Sequence, residues 1–370
     1  MLRRFAALLL LGFSLALTVS AQTGTSAEMA VMGGLHPIAG NFTLKNFKFQ
    51  SGEVLPQLKL HYQTLGKPLR GPNGHVVNAV LVLHGTGGSG NQFLVARYAG
   101  ELFGPGQPLD VSKYFIVLPD DIGHGQSSKP SDGLRAGFPH YDYADMVRAE
   151  HALVVDGLKL DHLRLVTGTS MGCMHAFMWG ENYPDFVDAL MPLACLPVAI
   201  GGRNRMWRQM LMNAIRDDPE WKGGAYATEP RQGLRTAVDM LLIAGSAPIA
   251  LQRDYASGSS MQAYLASTVA QVVNRLDAND LLYQVASSRD YDPSARLETI
   301  RAKVMWINSE DDFINPPYLG IAQREVKKMP DATYVLIPAS ETTHGHGTHT
   351  WAAVWKAYLV KLMATSDVAG

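Results

Sequence analysis

Hydrophobic and polar residues alternate with a period of two in two early stretches, 42–49 and 57–65, which flank Ser51-Gly52. Such alternation predicts a pair of antiparallel strands joined by a short turn. Six short, continuous apolar runs follow. Runs of this kind are typical of strands buried on both faces of a parallel sheet, and they cover residues 79–83, 114–118, 163–167, 189–194, 304–307 and 334–337.

Stretches with a helical spacing of apolar residues separate these runs, most clearly at 143–158 and 351–363. Strands that alternate with helices predict a doubly wound α/β sheet. Residues 198–299 break the alternation, because they contain no convincing buried strand but several helix-like pieces, including 205–215 and 236–243. We therefore expect a helical cap at 198–299, inserted into an α/β core made of residues 41–197 and 300–370.

The first residues have the pattern of a secretory signal rather than of a folded element. Arg3 and Arg4 precede an apolar run at 5–17, and the small residues at 19–21 suit a signal peptidase. We expect a signal peptide at 1–21, a loose tail at 22–40, and a mature protein exported to the periplasm or the medium without a membrane segment. The alternative, an uncleaved anchor, is disfavoured because the run is short for a bilayer span.

The composition is that of an ordinary globular protein, with 47% hydrophobic and 18% charged residues among 370. A net charge of −1 supplies no basic field, so nucleic acid and anionic lipid are not expected as partners. Two cysteines, Cys173 and Cys195, do not make a disulfide framework. An oxidising compartment permits one bridge, but we expect free, packed thiols because both residues flank predicted buried elements.

Residues 168–172 read Gly-Thr-Ser-Met-Gly and lie between a predicted buried strand and a helix-compatible run. This context resembles the nucleophile elbow of α/β-hydrolases, in which a sharp strand-to-helix turn lifts a serine hydroxyl to the carboxyl edge of the sheet. We therefore predict that Ser170 is a nucleophile and that the backbone N–H of Met171 donates to an oxyanion. The competing interpretation is a plain glycine-rich turn.

A second oxyanion donor is expected at the end of an earlier strand, where residues 84–88 read His-Gly-Thr-Gly-Gly. Glycines let backbone amides approach a ligand closely, which makes Gly85 a candidate for substrate contact. We expect the N–H of Thr86 to be the second donor. His84 is also explained as a buried structural residue.

A serine nucleophile needs a base, and the base needs an orienting acid; in this type of fold they follow in the order Ser, Asp or Glu, His. Three carboxylates follow the strand at 304–307. The Asp-x-x-x-Pro spacing selects Asp312, four residues before Pro316, with Asp311 as the runner-up. The acids that are not chosen are expected to face solvent.

After the last predicted strand, His346 lies between two glycines, and we predict it as the base in preference to His344 and His349. A metal site formed by these histidines with Glu341 is the alternative. Their spacing matches no metal motif, so neither a metal nor another cofactor is expected.

Several stretches resemble the homoserine O-acetyltransferase-like branch of the α/β-hydrolases, over most of the chain from about Leu58 onward. The resemblance implies an α/β-hydrolase fold with a mostly parallel sheet, a helical cap, and a triad at Ser170, Asp312 and His346. The stretches that carry the resemblance are 62–66 (Tyr-Gln-Thr-Leu-Gly), 104–110, 114–116, 145–147, 170–174 (Ser-Met-Gly-Cys-Met), 214–221, 224–226 and 276–283.

Three departures from the family's pattern bear on the reaction. Transferases of this branch usually carry an arginine that helps to hold the amino-acid substrate where this chain has Met212, which cannot pair with a carboxylate. Arg205 and Arg208, on nearby turns, are the candidates to replace it. The loop at 84–88 is closer to that of ordinary esterases, and Cys173 stands where the transferases typically have glycine.

These patterns predict an exported serine hydrolase that cleaves a carboxylic ester with a small acyl group through an acyl-serine intermediate. O-acyl transfer of the homoserine type is the first alternative, disfavoured because acetyl-CoA is cytosolic and an exported enzyme would lack it. A catalytically inactive binding module is the second, disfavoured because each triad member has a candidate. The expected partner is a small-molecule ester, contacted by Gly85, Met212 and Tyr226, and the resemblance leaves a homodimer open.

Overall fold

Eight strands form one sheet in the computed structural model, which describes residues 32–366. The predicted signal at 1–21, and the tail as far as residue 31, lie outside the described residues. The strands are β1 Ile38–Lys48, β2 Val54–Leu65, β3 Ala79–Leu83, β4 Phe115–Pro119, β5 Leu165–Thr169, β6 Ala189–Leu193, β7 Lys303–Ser309 and β8 Ala332–Ile337.

The strand order is β1-β2-β4-β3-β5-β6-β7-β8. β1 pairs antiparallel with β2, as predicted, and β2 pairs antiparallel with β4, whereas the other neighbours pair in parallel. The mostly parallel α/β sheet is therefore confirmed. The loose tail was expected to reach residue 40, but β1 begins at Ile38, because the ladder with β2 continues to the pair Ile38 and Thr64.

The central strands are buried on both faces, which explains their continuous apolar runs. All five residues of β3 are buried, and alternation sends Leu81 and Leu83 into one hydrophobic cluster and Val80 and Val82 into another. Helices cover both faces: α1 Ala99–Leu102, α2 Tyr143–Ala152, α3 Met171–Asn182, α4 Gly202–Arg216, α5 Arg231–Ala244, α6 Pro248–Asp254, α7 Gly258–Val273, α8 Ala278–Ala286, α9 Ile321–Glu325 and α10 Ala352–Thr365.

The helix expected at 143–158 ends as an α-helix at Ala152 and continues as one π-helical turn, Leu153–Gly157. The segment predicted as a cap, 198–299, contains α4 to α8 and no strand. Within residues 32–366, no single helix is long and apolar enough to span a bilayer; α5 and α6 meet that test only when combined across a sharp bend.

Cys173 and Cys195 form a disulfide, so the prediction of free thiols is wrong. The two Cα atoms are 5.8 Å apart, which is within the range that a disulfide requires. Their proximity follows from the parallel pairing of β5 with β6, because Cys173 lies in the first turn of the helix after β5 and Cys195 follows β6 closely. Both residues flank buried elements, as expected, but strand pairing places their sulfurs side by side.

Glu181 is a buried carboxylate near the end of α3, and its Oε1 atom has no hydrogen-bond partner among the described residues. Burial raises the pKa of Glu181 to about 8, although the charge of Arg296 opposes this change. The unfolded chain releases the same proton near pH 4.5. The native state therefore holds the extra proton between these two values, and the free energy of unfolding falls as the pH rises through this window.

Glu181→Gln, which carries no charge at any pH, is expected to raise the free energy of unfolding by about 2–4 kcal/mol above about pH 8 and to leave it unchanged near pH 4. Urea unfolding at both pH values measures this difference. Glu220→Gln, at an exposed acid, is the matched control and should change stability little at either pH. Equal stability of Glu181→Gln and wild type above pH 8 would contradict the prediction.

Candidate active site

Ser170 lies at the sharp turn between β5 and α3, where the sequence predicts a nucleophile. Its backbone has φ 56° and ψ −109°, a conformation that residues with side chains rarely adopt. A Cβ on Gly168 would lie 2.1 Å from the carbonyl oxygen of Gly172, and one on Gly172 would lie 2.2 Å from that of Leu83. Both flanking glycines are therefore required by the packing of a turn that presents Ser170 at the carboxyl edge of the sheet.

His346 and Asp312 reach Ser170 from two other loops at the same edge. His346 Nε2 lies 2.8 Å from Ser170 Oγ, and His346 Nδ1 lies 2.9 Å from Asp312 Oδ2. Because a carboxylate only accepts, we assign the ring proton to Nδ1, which leaves Nε2 to accept the hydrogen of the Ser170 hydroxyl. An imidazole held between a hydroxyl and a carboxylate has the geometry for general-base activation of a serine.

Asp312 is 2% exposed and is held by several donors besides His346. Its Oδ1 accepts the backbone N–H groups of Ile314 (2.8 Å) and Asn315 (3.2 Å), and its Oδ2 accepts the side-chain Nδ2–H of Asn315 (2.9 Å). Burial alone would raise the pKa of this carboxyl, but the charge of His346 and these hydrogen bonds outweigh burial and hold the pKa below its usual value. Asp312 is therefore ionised throughout the neutral pH range.

Asp311, the runner-up acid, was expected to face solvent, and this expectation is wrong. Its Oδ2 accepts the hydroxyl of Thr343 at 2.8 Å and the backbone N–H of Gly345 at 3.0 Å. Gly345 immediately precedes His346, so Asp311 anchors the loop that carries the candidate base. Glu310 is exposed, as expected.

The other polar residues of the loop that carries His346, which we call the base loop, each contact a different partner. The ring of His344 stacks on Trp351 with centroids 3.9 Å apart, and Glu341 pairs with Arg253 at 3.0 Å. His349 is buried, which lowers its pKa well below the usual value. Within residues 32–366, these side chains therefore point to separate partners rather than to one common ligand position.

Gly85 lies against Ser170, since a Cβ at this glycine would be 3.3 Å from the Cβ of the serine. The predicted oxyanion donors are the N–H groups of Thr86, the next residue, and Met171, the first residue of α3. Neither N–H has an acceptor among the hydrogen bonds of the described residues. Two such amides, which adjoin a serine hydroxyl from separate loops, suit the stabilisation of an oxyanion.

His84 holds the loop at 84–88, which we call the oxyanion loop, in position through buried hydrogen bonds. It is fully buried; its Nδ1 donates to the carbonyl of Gly85 at 2.8 Å, and its Nε2 accepts the N–H of Asp121 at 3.0 Å. The backbone carbonyl of His84 also accepts the N–H of Gly172 at 2.9 Å. His84 thus ties the oxyanion loop to the elbow, which supports its interpretation as a structural residue.

Asp121, Glu150 and His175 form a buried group whose ligand-type atoms lie within 4.8 Å of one another. His175 Nδ1 lies 2.8 Å from Glu150 Oε1, and Trp179 Nε1 donates to Glu150 Oε2 at 2.6 Å. Burial raises the pKa of both carboxyls and lowers that of His175. Trp179 and His175 thus occupy both oxygens of Glu150, which fits hydrogen bonding within the protein better than metal ligation, and these contacts connect α2 to α3 below the elbow.

Met212 and Tyr226, two of the predicted substrate-binding residues, are buried within the cap. Met212 is 7% exposed and belongs to the hydrophobic core, and the Tyr226 hydroxyl accepts the N–H of Asn279 at 3.2 Å. Neither has a described hydrogen bond or ring contact with Ser170. Of the three predicted substrate contacts, Gly85 adjoins the serine, whereas Met212 packs in the hydrophobic core and Tyr226 contacts Asn279 and Arg135.

Comparison with known proteins agrees with this geometry. Residues 78–342 match the family described as the alpha/beta hydrolase fold. The chain belongs to this family, in its homoserine O-acetyltransferase-like branch. This α/β-hydrolase is 30% identical to a probable acyltransferase of Methanothermobacter thermautotrophicus, over 83% of this chain and 92% of the relative.

A homoserine O-acetyltransferase of Geobacter sulfurreducens is 28% identical to this α/β-hydrolase, over 81% of the chain and 89% of the relative. Among solved structures, the acetyl esterase MekB superposes with a TM-score of 0.76 and 22% identity, over 89% of this chain and 97% of the esterase. This structural likeness shows the shared fold. Esterases and acyltransferases thus both occur on the architecture described above.

Proposed function

We propose that the protein is an acyl-transfer enzyme that moves a short acyl group from an ester, a donor that does not require cytosolic acetyl-CoA, to an alcohol through acyl-Ser170. The observation that carries this proposal is the continuous hydrogen-bonded chain from Ser170 through His346 to the buried Asp312. His346 takes the hydroxyl proton as Ser170 Oγ attacks the carbonyl carbon, and Asp312 holds the imidazole. The N–H groups of Met171 and Thr86 stabilise the oxyanion, and the leaving group departs with the proton from His346.

Transfer to an alcohol is preferred as the second half-reaction because the curated relatives that share most of this chain are named as acyltransferases. Arg208 supports an acceptor that carries a carboxylate, such as a hydroxy amino acid. This arginine is 3% exposed, and its guanidinium donates to the side chains of Asn204 (2.9 Å) and Ser288 (3.1 Å), both uncharged. A buried guanidinium gains much from a carboxylate partner, and Arg208 lies one helical turn from Met212, where the family's arginine is missing.

Hydrolysis of a carboxylic ester is the second candidate, and Met212 is the observation that favours it. Its side chain cannot pair with an acceptor carboxylate, and the glycine-rich loop at 84–88 is closer to that of esterases. The two candidates share the acyl-Ser170 intermediate and differ only in whether water or an alcohol attacks it. An acyltransferase must therefore bind its acceptor well enough to outcompete water.

The partition of the acyl-enzyme distinguishes the candidates. With p-nitrophenyl acetate as donor, adding homoserine to purified protein is expected to speed p-nitrophenol release and to yield O-acetylhomoserine. Acetate as the sole product, at a rate that homoserine leaves unchanged, would favour hydrolysis.

Arg208→Gln is expected to raise the KM for homoserine about 10- to 100-fold with little effect on acetate formation. No turnover, together with no labelling of Ser170 by a fluorophosphonate, would favour the inactive binding module.

We also propose that the protein is exported. Support comes from the signal-like pattern at 1–21 and from the Cys173–Cys195 disulfide, since disulfides persist mainly in oxidising compartments. Expression of the full chain in a Gram-negative host is expected to yield periplasmic protein that begins at Gln22 and contains no alkylatable thiol. N-terminal sequencing and thiol alkylation under denaturing conditions test this outcome. Recovery of the Met1 form in the cytoplasm, with two free thiols, would contradict it.

A further inference from the structure

A three-residue segment at the end of β6, residues 193–195, contacts the elements that carry both the candidate nucleophile and the candidate acid. The carbonyl of Leu193 accepts the N–H of Ser170 at 2.9 Å. The carbonyl of Ala194 accepts the side-chain amide of Asn315 at 3.0 Å. Cys195 is bonded to Cys173, one turn after Ser170 in α3. We call residues 193–195 the bridging segment.

Asn315 connects the bridging segment to the carboxylate of Asp312. Its Nδ2 donates both to the carbonyl of Ala194 (3.0 Å) and to Asp312 Oδ2 (2.9 Å), the oxygen that faces His346 Nδ1. Asn315 is 1% exposed, so water does not readily replace this amide. The side chain holds Oδ2 while the backbone N–H groups of Ile314 and Asn315 hold Oδ1, and together they set the rotation of the carboxylate relative to the imidazole.

The bridging segment is itself held in an unfavourable conformation. Ala194 has φ 67°, in the left-handed region that residues other than glycine seldom adopt. The carbonyl of Cys195 accepts Nε1–H of Trp306 (3.0 Å) and Nδ2–H of Asn308 (3.1 Å), both from β7. Hydrogen bonds hold the segment to the sheet, while the disulfide with Cys173 holds it to the helix that carries Ser170.

We propose that Asn315 and the Cys173–Cys195 disulfide are positioning residues for the reaction: the disulfide fixes the bridging segment, and Asn315 transmits its position to Asp312. This proposal rests on the proposed function, because it assumes that Asp312 orients His346. When either element is lost, the carboxylate rotates and the imidazole faces Ser170 in fewer conformers. A misplacement of about 1 Å costs about 10²-fold in rate, and substrate binding is not involved, so kcat falls while KM is unchanged.

Steady-state kinetics with p-nitrophenyl acetate test the proposal in Asn315→Ala, in the double variant Cys173→Ala/Cys195→Ala, and in the triple variant that combines them. We expect kcat to fall about 10- to 100-fold in each with KM unchanged. Because both changes act through one connection, the triple variant is expected to lose little more than Asn315→Ala alone. Leu359→Ala, in α10 on the opposite face of the sheet, is the control for lost stability and should keep the wild-type kcat below its melting temperature.

A wild-type kcat in Asn315→Ala or in the cysteine double variant would overturn the proposal, as would losses that multiply fully in the triple variant. Asn315→Asp is a second variant at the same position, of nearly unchanged size. It replaces the donor with a carboxylate beside Asp312, and we expect a similar loss of kcat. Wild-type turnover no higher than that of Ser170→Ala would instead overturn the proposed function itself, and the positioning role with it.

Discussion

Replacing Ser170 with alanine is expected to lower kcat for p-nitrophenyl acetate by about 10⁴- to 10⁶-fold while the fold is retained. The substitution removes only the hydroxyl that His346 Nε2 faces at 2.8 Å. No acyl-enzyme then forms, and the residual rate comes from the oxyanion donors and from substrate binding. Steady-state kinetic assays measure this loss of kcat, and circular dichroism checks that the variant is folded.

Fluorophosphonate labelling gives the same experiment a second measurement. Wild type is expected to take one label, and Ser170→Ala none. Ser259→Ala, at an exposed serine in α7, is the matched control and should label and turn over like wild type. If Ser170→Ala kept a rate close to that of wild type, another group would have to be the nucleophile.

The strands and the elbow were predictable from the sequence because burial and sterics dictate them locally. A strand covered on both faces must be apolar at successive positions, which gives the continuous run in β3. A turn that leaves no room for a Cβ must carry glycine, as at Gly168 and Gly172. Ser170 and His346 could be placed for the same reason, since the order of the strands along the chain fixes which loops meet at the carboxyl edge.

The disulfide and the supports of the acid depend on how separate loops meet, and a single sequence does not specify this. The bond between Cys173 and Cys195 requires the pairing of β5 with β6. Asp311 was assigned to solvent as an acid not chosen for the triad, and its partner Thr343, 32 residues away in the chain, could not be identified from the sequence. Asn315 had a local signal: the backbone N–H groups two and three residues after Asp312 turn back to its carboxylate, which is an Asx-type turn, and a short amide at that point can reach the same group.

The substrate contacts were the least predictable part of the site. A family resemblance transfers positions along the chain, and Met212 and Tyr226 occupy positions of interest in the cap. In this structure Met212 packs in the hydrophobic core, and the hydroxyl of Tyr226 accepts a hydrogen bond from a residue of the cap. Arg208, a buried charged group in the cap, lies on the same helix as Met212 at a different position. The resemblance thus transfers a position along the chain, whereas the contacts of each side chain must be found from the structure.

Asp312→Asn is expected to lower kcat by about 10⁴-fold, the second large effect at this site. Asparagine has the same size, and its amide oxygen can keep the hydrogen bond from the N–H of Ile314. The amide nitrogen would face His346 Nδ1 and donate to it, which moves the ring proton to Nε2, where it blocks acceptance of the Ser170 proton. The pKa of Asp312 is held below its usual value, so the wild type keeps the carboxylate across the pH range of the assay.

Asp311→Asn is the matched control, because it makes the same chemical change at the adjacent residue. Asp311 accepts from Thr343 and Gly345 and so acts on the position of the base loop, whereas it makes no described contact with the ring of His346. Its loss is expected to cost about 10-fold or less in kcat, since an asparagine oxygen can still accept one of these bonds. The ratio of the two losses in kcat decides which acid orients the imidazole. A larger loss in Asp311→Asn than in Asp312→Asn would reverse the assignment. A large loss in Asp312→Asn alone requires that the tautomer of His346 is set by the carboxylate that lies 2.9 Å from Nδ1.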